Sequence, residues 1–139
     1  SKVKSLKELF RDTGFSDLSP LEKWDVSNVV DMESTFAYTK IKNVDALKSW
    51  DVSKVKTFEA CFYYSSVENL NGLKDWNLEM TENISQMFML TKNLKNVDKI
   101  NDWNISKVNN FHEMFKKSSG VYPNWNGTWR DDGGFVKNV

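Results

Sequence analysis

The sequence predicts an α/β solenoid, with one short strand and one short helix in each repeat of about 26 residues. Three observations lead there. Five of the six tryptophans fall at positions 24, 50, 76, 103 and 129, in steps of 26, 26, 27 and 26. Five of the nine phenylalanines fall at 10, 36, 62, 88 and 115, in steps of 26, 26, 26 and 27. Between them the same words return: "WDVSNVVDMESTF" from Trp24, "WDVSKVKTFEACF" from Trp50, "WNLEMTENISQMF" from Trp76 and "WNISKVNNFHEMF" from Trp103.

The strand is read from the first half of each unit. Apolar residues recur at Leu18, Leu21, Trp24 and Val26, then at Val44, Leu47, Trp50 and Val52, and so on through Ile105. The Trp-Asp-Val step is apolar-polar-apolar, a period of two. The helix is read from the second half. Val29, Met32 and Phe36, with Val55, Phe58, Cys61 and Phe62 in the next unit, are spaced by three and four residues, which is one helical face. Ser27, Ser53 and Ser106 precede those runs, where a hydroxyl suits a helix N-cap. The third unit carries Glu79 and Met80 instead, so its helix is expected from Thr81. Residues 1–17 are expected as an N-terminal helical cap, because Leu6, Leu9 and Phe10 keep the helix register. Residues 18–115 form four repeats, and residues 116–139 form a C-terminal cap or tail in which Trp129 keeps the tryptophan register. The whole reads as one domain.

Each strand and each helix is too small to bury its apolar side alone. Stacked units bury it against their own copies, so the tryptophans should form one buried column and the phenylalanines another. Asp25, Asp51, Asn77 and Asn104 follow the tryptophans and should form an outward ladder. Adjacent strands lie about 4.8 Å apart, so asparagine in two of the four units halves the repulsion along it.

The repeated string resembles the 26-residue bacterial surface-protein repeat, related to the BspA-like leucine-rich repeats of mycoplasma lipoproteins. The likeness covers roughly residues 18–115. It implies a right-handed, leucine-rich-repeat-like solenoid, display on the bacterial cell surface, and a role in adhesion or host interaction. It supplies no catalytic residues.

Composition narrows the function independently. Of 139 residues, 40% are hydrophobic and 14% aromatic, enough for a folded core. Lysine plus arginine is 19 and aspartate plus glutamate is 19, a net charge of zero that argues against nucleic acid as the partner. No apolar run approaches the roughly 18 residues of a membrane span, so membrane association is expected only through an anchor outside this chain. The serine start and absence of a leader-like stretch look like a processed or excised fragment.

Candidate chemistry is sparse. Cys61 is the one cysteine, so no internal disulfide forms, and its register makes it a small core residue. "HEMF" at His112 lacks the second histidine of a zinc helix, since Lys116 stands there. "RDDGG" from Arg130 lacks the spacing of a calcium loop and reads as a solvated tail. The sequons at Asn83, Asn104 and Asn126 carry no weight in a bacterial chain. No cofactor, metal or enzymatic activity is expected. The expected contact residues are the outward pairs Lys23 and Asp25, Ser49 and Asp51, Asp75 and Asn77, and Asp102 and Asn104. This ladder is acidic on balance and would steer a basic surface. Tyr63 and Tyr64 are the second candidate patch, because other units vary at those positions. The function expected is a non-enzymatic module binding an extracellular or host protein. The alternative is a coat or spacer without a specific ligand.

Overall fold

The computed structural model describes residues 2–138; Ser1 and Val139, the outer ends of the two expected caps, lie outside the described residues. The backbone hydrogen bonds set the architecture. In the second half of each unit, alternate residues donate N–H to carbonyls about 26 residues further on. Leu6, Glu8, Phe10 and Asp12 donate to Asp31, Glu33, Thr35 and Ala37 at 2.9–3.0 Å. Met32, Ser34, Phe36 and Tyr38 donate in the same way to Thr57, Glu59, Cys61 and Tyr63, and the pattern continues to Lys116. Single parallel bridges, Ser5 with Asp31, Asp31 with Thr57, Thr57 with Asn83 and Asn83 with Asn110, run down the same side. We call each 26-residue unit a rung.

The rungs are built from turns. The expected helix and strand of each unit do not form: among the described residues there is no α-helix, and the two strands lie in the C-terminal tail. Each first half instead carries one short 3₁₀ turn, at Ser19–Leu21, Asp45–Leu47, Asn71–Leu73 and Asp98–Ile100. Each second half is a pair of β-turns. In the rung of Phe36, Thr35 N–H returns to the Met32 carbonyl, and Thr39 Oγ1 donates to the Phe36 carbonyl at 2.7 Å. The third residue of each turn has positive φ: Ser34 at 54° and Tyr38 at 58°. Glu8, Ala60, Gln86 and Glu113 repeat the first position, and Asp12, Tyr64, Leu90 and Lys117 the second. Positive φ at that place is the mark of a type II turn.

The physical reason is length. A helix of two turns is marginal by itself. A turn ribbon gives half its N–H groups to the neighbouring rung, while still pointing residues three and four apart inward.

Polar residues finish each turn. Asp25, Asp51, Asn77 and Asn104 accept the backbone N–H two residues on, at 2.9–3.1 Å. Ser27 and Ser53 are therefore not helix N-caps; their hydroxyls donate to Asp25 and Asp51. Two further ladders do the same work: Asp17, Asn43, Asn69 and Asn96 ahead of the 3₁₀ turns, and Ser5, Asp31, Thr57, Asn83 and Asn110 at the bridges. Such Asx and Ser/Thr turns satisfy donors that a rung this tight leaves orphaned. Thr81, expected to open a helix, is buried and donates its hydroxyl to the Val55 carbonyl at 2.8 Å.

Two aromatic systems run through the core. Phe10, Phe36, Phe62, Phe88 and Phe115 stack with centroids 5.7, 5.5, 5.6 and 5.4 Å apart and planes within 18°. Trp50, Trp76 and Trp103 are buried, and each indole N–H donates at 2.9 Å to a carbonyl of the preceding rung: Leu21, Leu47 and Leu73. The next in that series is Trp125, which donates to Ile100 at 3.0 Å. Trp129, expected in this register, instead sits in β1 (Gly127–Trp129), which pairs antiparallel with β2 (Phe135–Lys137). The segment after Phe115 cuts across the end of the stack, so an earlier tryptophan reaches the slot.

The expected helical cap of residues 1–17 does not form: residues 2–12 adopt the same turn ribbon as the other rungs. At the opposite end, "RDDGG" is not a solvated tail. Gly133 and Gly134 are buried, Asp132 accepts the Gly134 N–H at 2.9 Å, and the Gly133 carbonyl accepts the Phe115 N–H at 3.0 Å. A Cβ on Gly133 would come within 2.4 Å of the Lys116 backbone nitrogen, and φ there is +79°.

Candidate interaction surface

The acidic ladder is exposed along its whole length: Lys23, Asp25, Ser49, Asp51, Asp75, Asn77, Asp102 and Asn104 all face solvent. Its two columns differ in chemistry. Asp25, Asp51, Asn77 and Asn104 commit a side-chain oxygen to their own turn. The Ser53 hydroxyl, and then the Ser53 backbone N–H, hold the Asp51 carboxyl below the ordinary carboxylate range. This column is first of all a set of turn caps. In the other column, Asp75 and Asp102 are exposed and their carboxylates make no side-chain hydrogen bond among the described residues.

The tyrosines are organised differently. Tyr38 and Tyr64 occupy the same place in successive rungs, the second positive-φ position, and their rings are 5.5 Å apart. Tyr63 packs on Tyr38 at 5.4 Å, and burial raises its phenol pKa. The Arg11 guanidinium lies 4.9 Å from the Tyr38 ring centre, within cation–π range. Tyr38 is 38% exposed and Tyr64 57%. Beside them is a shallow hollow of about 200 Å³ lined by Arg11, Ser34, Ala37, Tyr38, Ala60, Tyr63 and Gln86. Sequence spacing singled out Tyr63 and Tyr64; it missed Tyr38 and Arg11. Tyr38 stands 26 residues before Tyr64, so the period itself carried that signal.

The residues weighed for chemistry are dispersed. Cys61 is fully buried, and burial pushes its thiol pKa up, away from the thiolate. His112 is exposed and its Nε2 is 3.1 Å from Glu113 Oε1. Lys116 and then Gln86 hold the Glu113 carboxyl low. Among the described residues, no group of three or more His, Cys, Asp or Glu is placed to hold a metal ion, and no helix is long and apolar enough to cross a membrane.

A family model described as "Mycoplasma protein of unknown function, DUF285" matches residues 4–129. The chain belongs to the DUF285 family. The match takes in every rung and reaches the end of β1, so the turn ribbon before Leu18 is part of the family unit. No significant match was found among curated proteins or solved structures. A mycoplasma-type repeat family is therefore the level at which the sequence resemblance stands.

Proposed function

We propose that this DUF285 chain is a non-enzymatic solenoid displayed on the bacterial cell surface, and that it binds an extracellular or host protein in adhesion or host interaction. The finer resemblance, to BspA-like surface repeats, supports display. The tyrosine cluster is the observation that carries binding. Three tyrosines and an arginine are gathered on regular rungs, with Tyr38 and Tyr64 well exposed. Tyrosine and arginine are the residue types enriched in binding hot spots. Rigid rungs also hold the rings at little entropic cost on docking. The acidic column of Asp75 and Asp102 supplies long-range steering toward a basic partner surface.

Two measurements test this. Protease shaving of intact cells should remove the chain; full protection inside the membrane would end the display reading. Binding of the full chain to host extracellular proteins should then be compared with two double variants. Tyr38→Ser with Tyr64→Ser should abolish it. Asp75→Lys with Asp102→Lys should slow association at low salt. If the wild type binds nothing, or the tyrosine variant binds undiminished, the chain is a coat or spacer, or its contact surface lies elsewhere.

A further inference from the structure

The two ends of the stack differ. At the C-terminal end the last rung is closed by the tail: Trp125 fills the tryptophan slot, Gly133 accepts the Phe115 N–H, and Phe135 packs edge-on against Trp125 at 5.5 Å. At the N-terminal end nothing comparable is present among the described residues. Each interior junction is made by N–H groups donated from one rung to carbonyls of the next. The first rung donates its own N–H groups forward, and the carbonyls in the receiving positions, on Ser5, Lys7, Leu9 and Arg11, accept no hydrogen bond among the described residues. They alternate with a period of two, as the receiving carbonyls of Asp31, Glu33, Thr35 and Ala37 do.

The side chains tell the same story. Val3 and Leu9 are each 48% exposed and Trp24 is 41% exposed. With Leu6 and Val26 they line an apolar hollow of about 470 Å³. The tryptophans of all later rungs donate to a carbonyl of the preceding rung, whereas the Trp24 indole N–H has no acceptor among the described residues. The face thus presents four acceptors in register, one indole donor and an apolar floor.

We propose that the N-terminal end is a docking face for one further 26-residue rung of the same type, bound through the junction chemistry repeated inside the molecule. The occupant is specified by what the interior junctions use: four alternate backbone N–H donors, a methionine and a phenylalanine over the floor, and a leucine-type carbonyl for Trp24. A second copy of this chain does not fit, because its own tail lies against that edge of its last rung: Gly133 accepts the Phe115 N–H, Gly134 sits against Phe111 and Glu113, and Phe135 packs on Phe111. Nor do two N-terminal ends fit each other, since both present carbonyls.

The test fuses a copy of residues 27–52 ahead of Ser1 in the full chain. Val52 of the copy then joins Ser1 as it joins Ser53 in the native sequence, and Leu47 of the copy stands 29 residues before Trp24, as Leu47 stands before Trp76. We expect the Trp24 indole N–H to exchange about 100-fold more slowly or better, and Tm to rise by about 4 °C or more. A control carrying Met32→Asp and Phe36→Asp in the copy alone should leave Trp24 exposed. A fused copy whose amides exchange freely, with Trp24 unprotected, would overturn the proposal. So would a concentration-dependent dimer of the unfused chain that protects Trp24, because the occupant would then be a second copy.

Discussion

Replacing Trp76 by phenylalanine separates two things this residue does. Trp76 is 3% exposed, stacks on Phe58 with centroids 5.2 Å apart, and donates its indole N–H to the Leu47 carbonyl at 2.9 Å. Phenylalanine keeps a ring and loses the donor. The Leu47 carbonyl still accepts the Trp50 backbone N–H at 3.1 Å, so it is not stripped of partners. The lost bond therefore costs about 1 kcal/mol rather than the larger penalty of an orphaned group. The smaller ring forfeits about 1–2 kcal/mol more of buried contact. We expect a total of about 2–3 kcal/mol for Trp76→Phe, and about 3–5 kcal/mol for Trp76→Ala. Trp24→Phe is the control. Trp24 is exposed and its indole has no acceptor among the described residues, so the change should cost under about 1 kcal/mol. Urea unfolding followed by circular dichroism reads all three. With a slope of about 1–3 kcal/mol per molar, Trp76→Phe should move the midpoint by roughly 1 M or more, at unchanged slope. If Trp76→Phe were as mild as Trp24→Phe, the indole-to-carbonyl bond between rungs would contribute nothing, and the account of the tryptophan series would fail.

Other predictions come from the same geometry. Gly72→Ala should destabilise by about 1–3 kcal/mol, because the new Cβ would lie 2.2 Å from the Val44 carbonyl oxygen, a backbone atom that cannot move aside; a thermal melt unchanged from wild type would refute it. Ser65→Thr should stabilise by about 1 kcal/mol, raising Tm by a few degrees. The threonines at the matching positions 13, 39 and 91 donate their hydroxyls to the carbonyls of Phe10, Phe36 and Phe88, whereas the Ser65 hydroxyl is buried without a partner among the described residues. Acid should weaken the fold through Asp17 and Asp51, whose carboxyls are held low by backbone and hydroxyl donors of Ser19 and Ser53. A depressed folded pKa stabilises above the ordinary value of about 3.9 and is lost as pH falls through the folded one. Tm should accordingly hold from pH 7 to 5 and drop below about 4, with a shallower drop in Asp51→Asn, which retains the turn cap as Asn77 and Asn104 do. Calcium added after EDTA treatment should leave Tm unchanged, since Asp51 spends an oxygen on the Ser53 N–H; a clear rise would make the aspartates ligands instead.

The 26-residue period was legible because every large core residue must meet its own copy, and the phenylalanine spacing records that directly. The conformation within a rung was not. Met32 and Phe36 are four apart, as on a helix, but the same spacing serves a ribbon of two β-turns. A type II turn is ordinarily announced by glycine or asparagine at its third position. Here that position holds Glu8, Ser34, Ala60, Gln86 and Glu113, and then Asp12, Tyr38, Tyr64, Leu90 and Lys117. None is glycine or asparagine, so no local signal marks the turns. The bonds to the next rung impose the conformation, and a window along the chain cannot see a partner 26 residues away. The ladder after the tryptophans was read correctly as exposed, yet the oxygens of Asp51 and Asn77 turn out to be committed to backbone caps.

That same imposed conformation bears on the surface proposed for binding. A left-handed backbone costs a residue with a Cβ about 1–2 kcal/mol, and a bulky aromatic residue is a poor occupant. The second such position recurs in every rung, so the strain belongs to the fold rather than to a site. What varies is the side chain: Asp12, Tyr38, Tyr64, Leu90 and Lys117. Glycine there would be cheaper for the backbone and is used in none of the five. The position points outward in most rungs, with Asp12, Tyr38, Tyr64 and Lys117 all exposed. A fold that fixes a column of outward side chains at about the rung spacing, and leaves their identity free, can change its surface without changing its core. Two tyrosines in adjacent rungs of that column, with Tyr63 and Arg11 packed beside them, are the part of this surface on which the proposed contact with another protein rests.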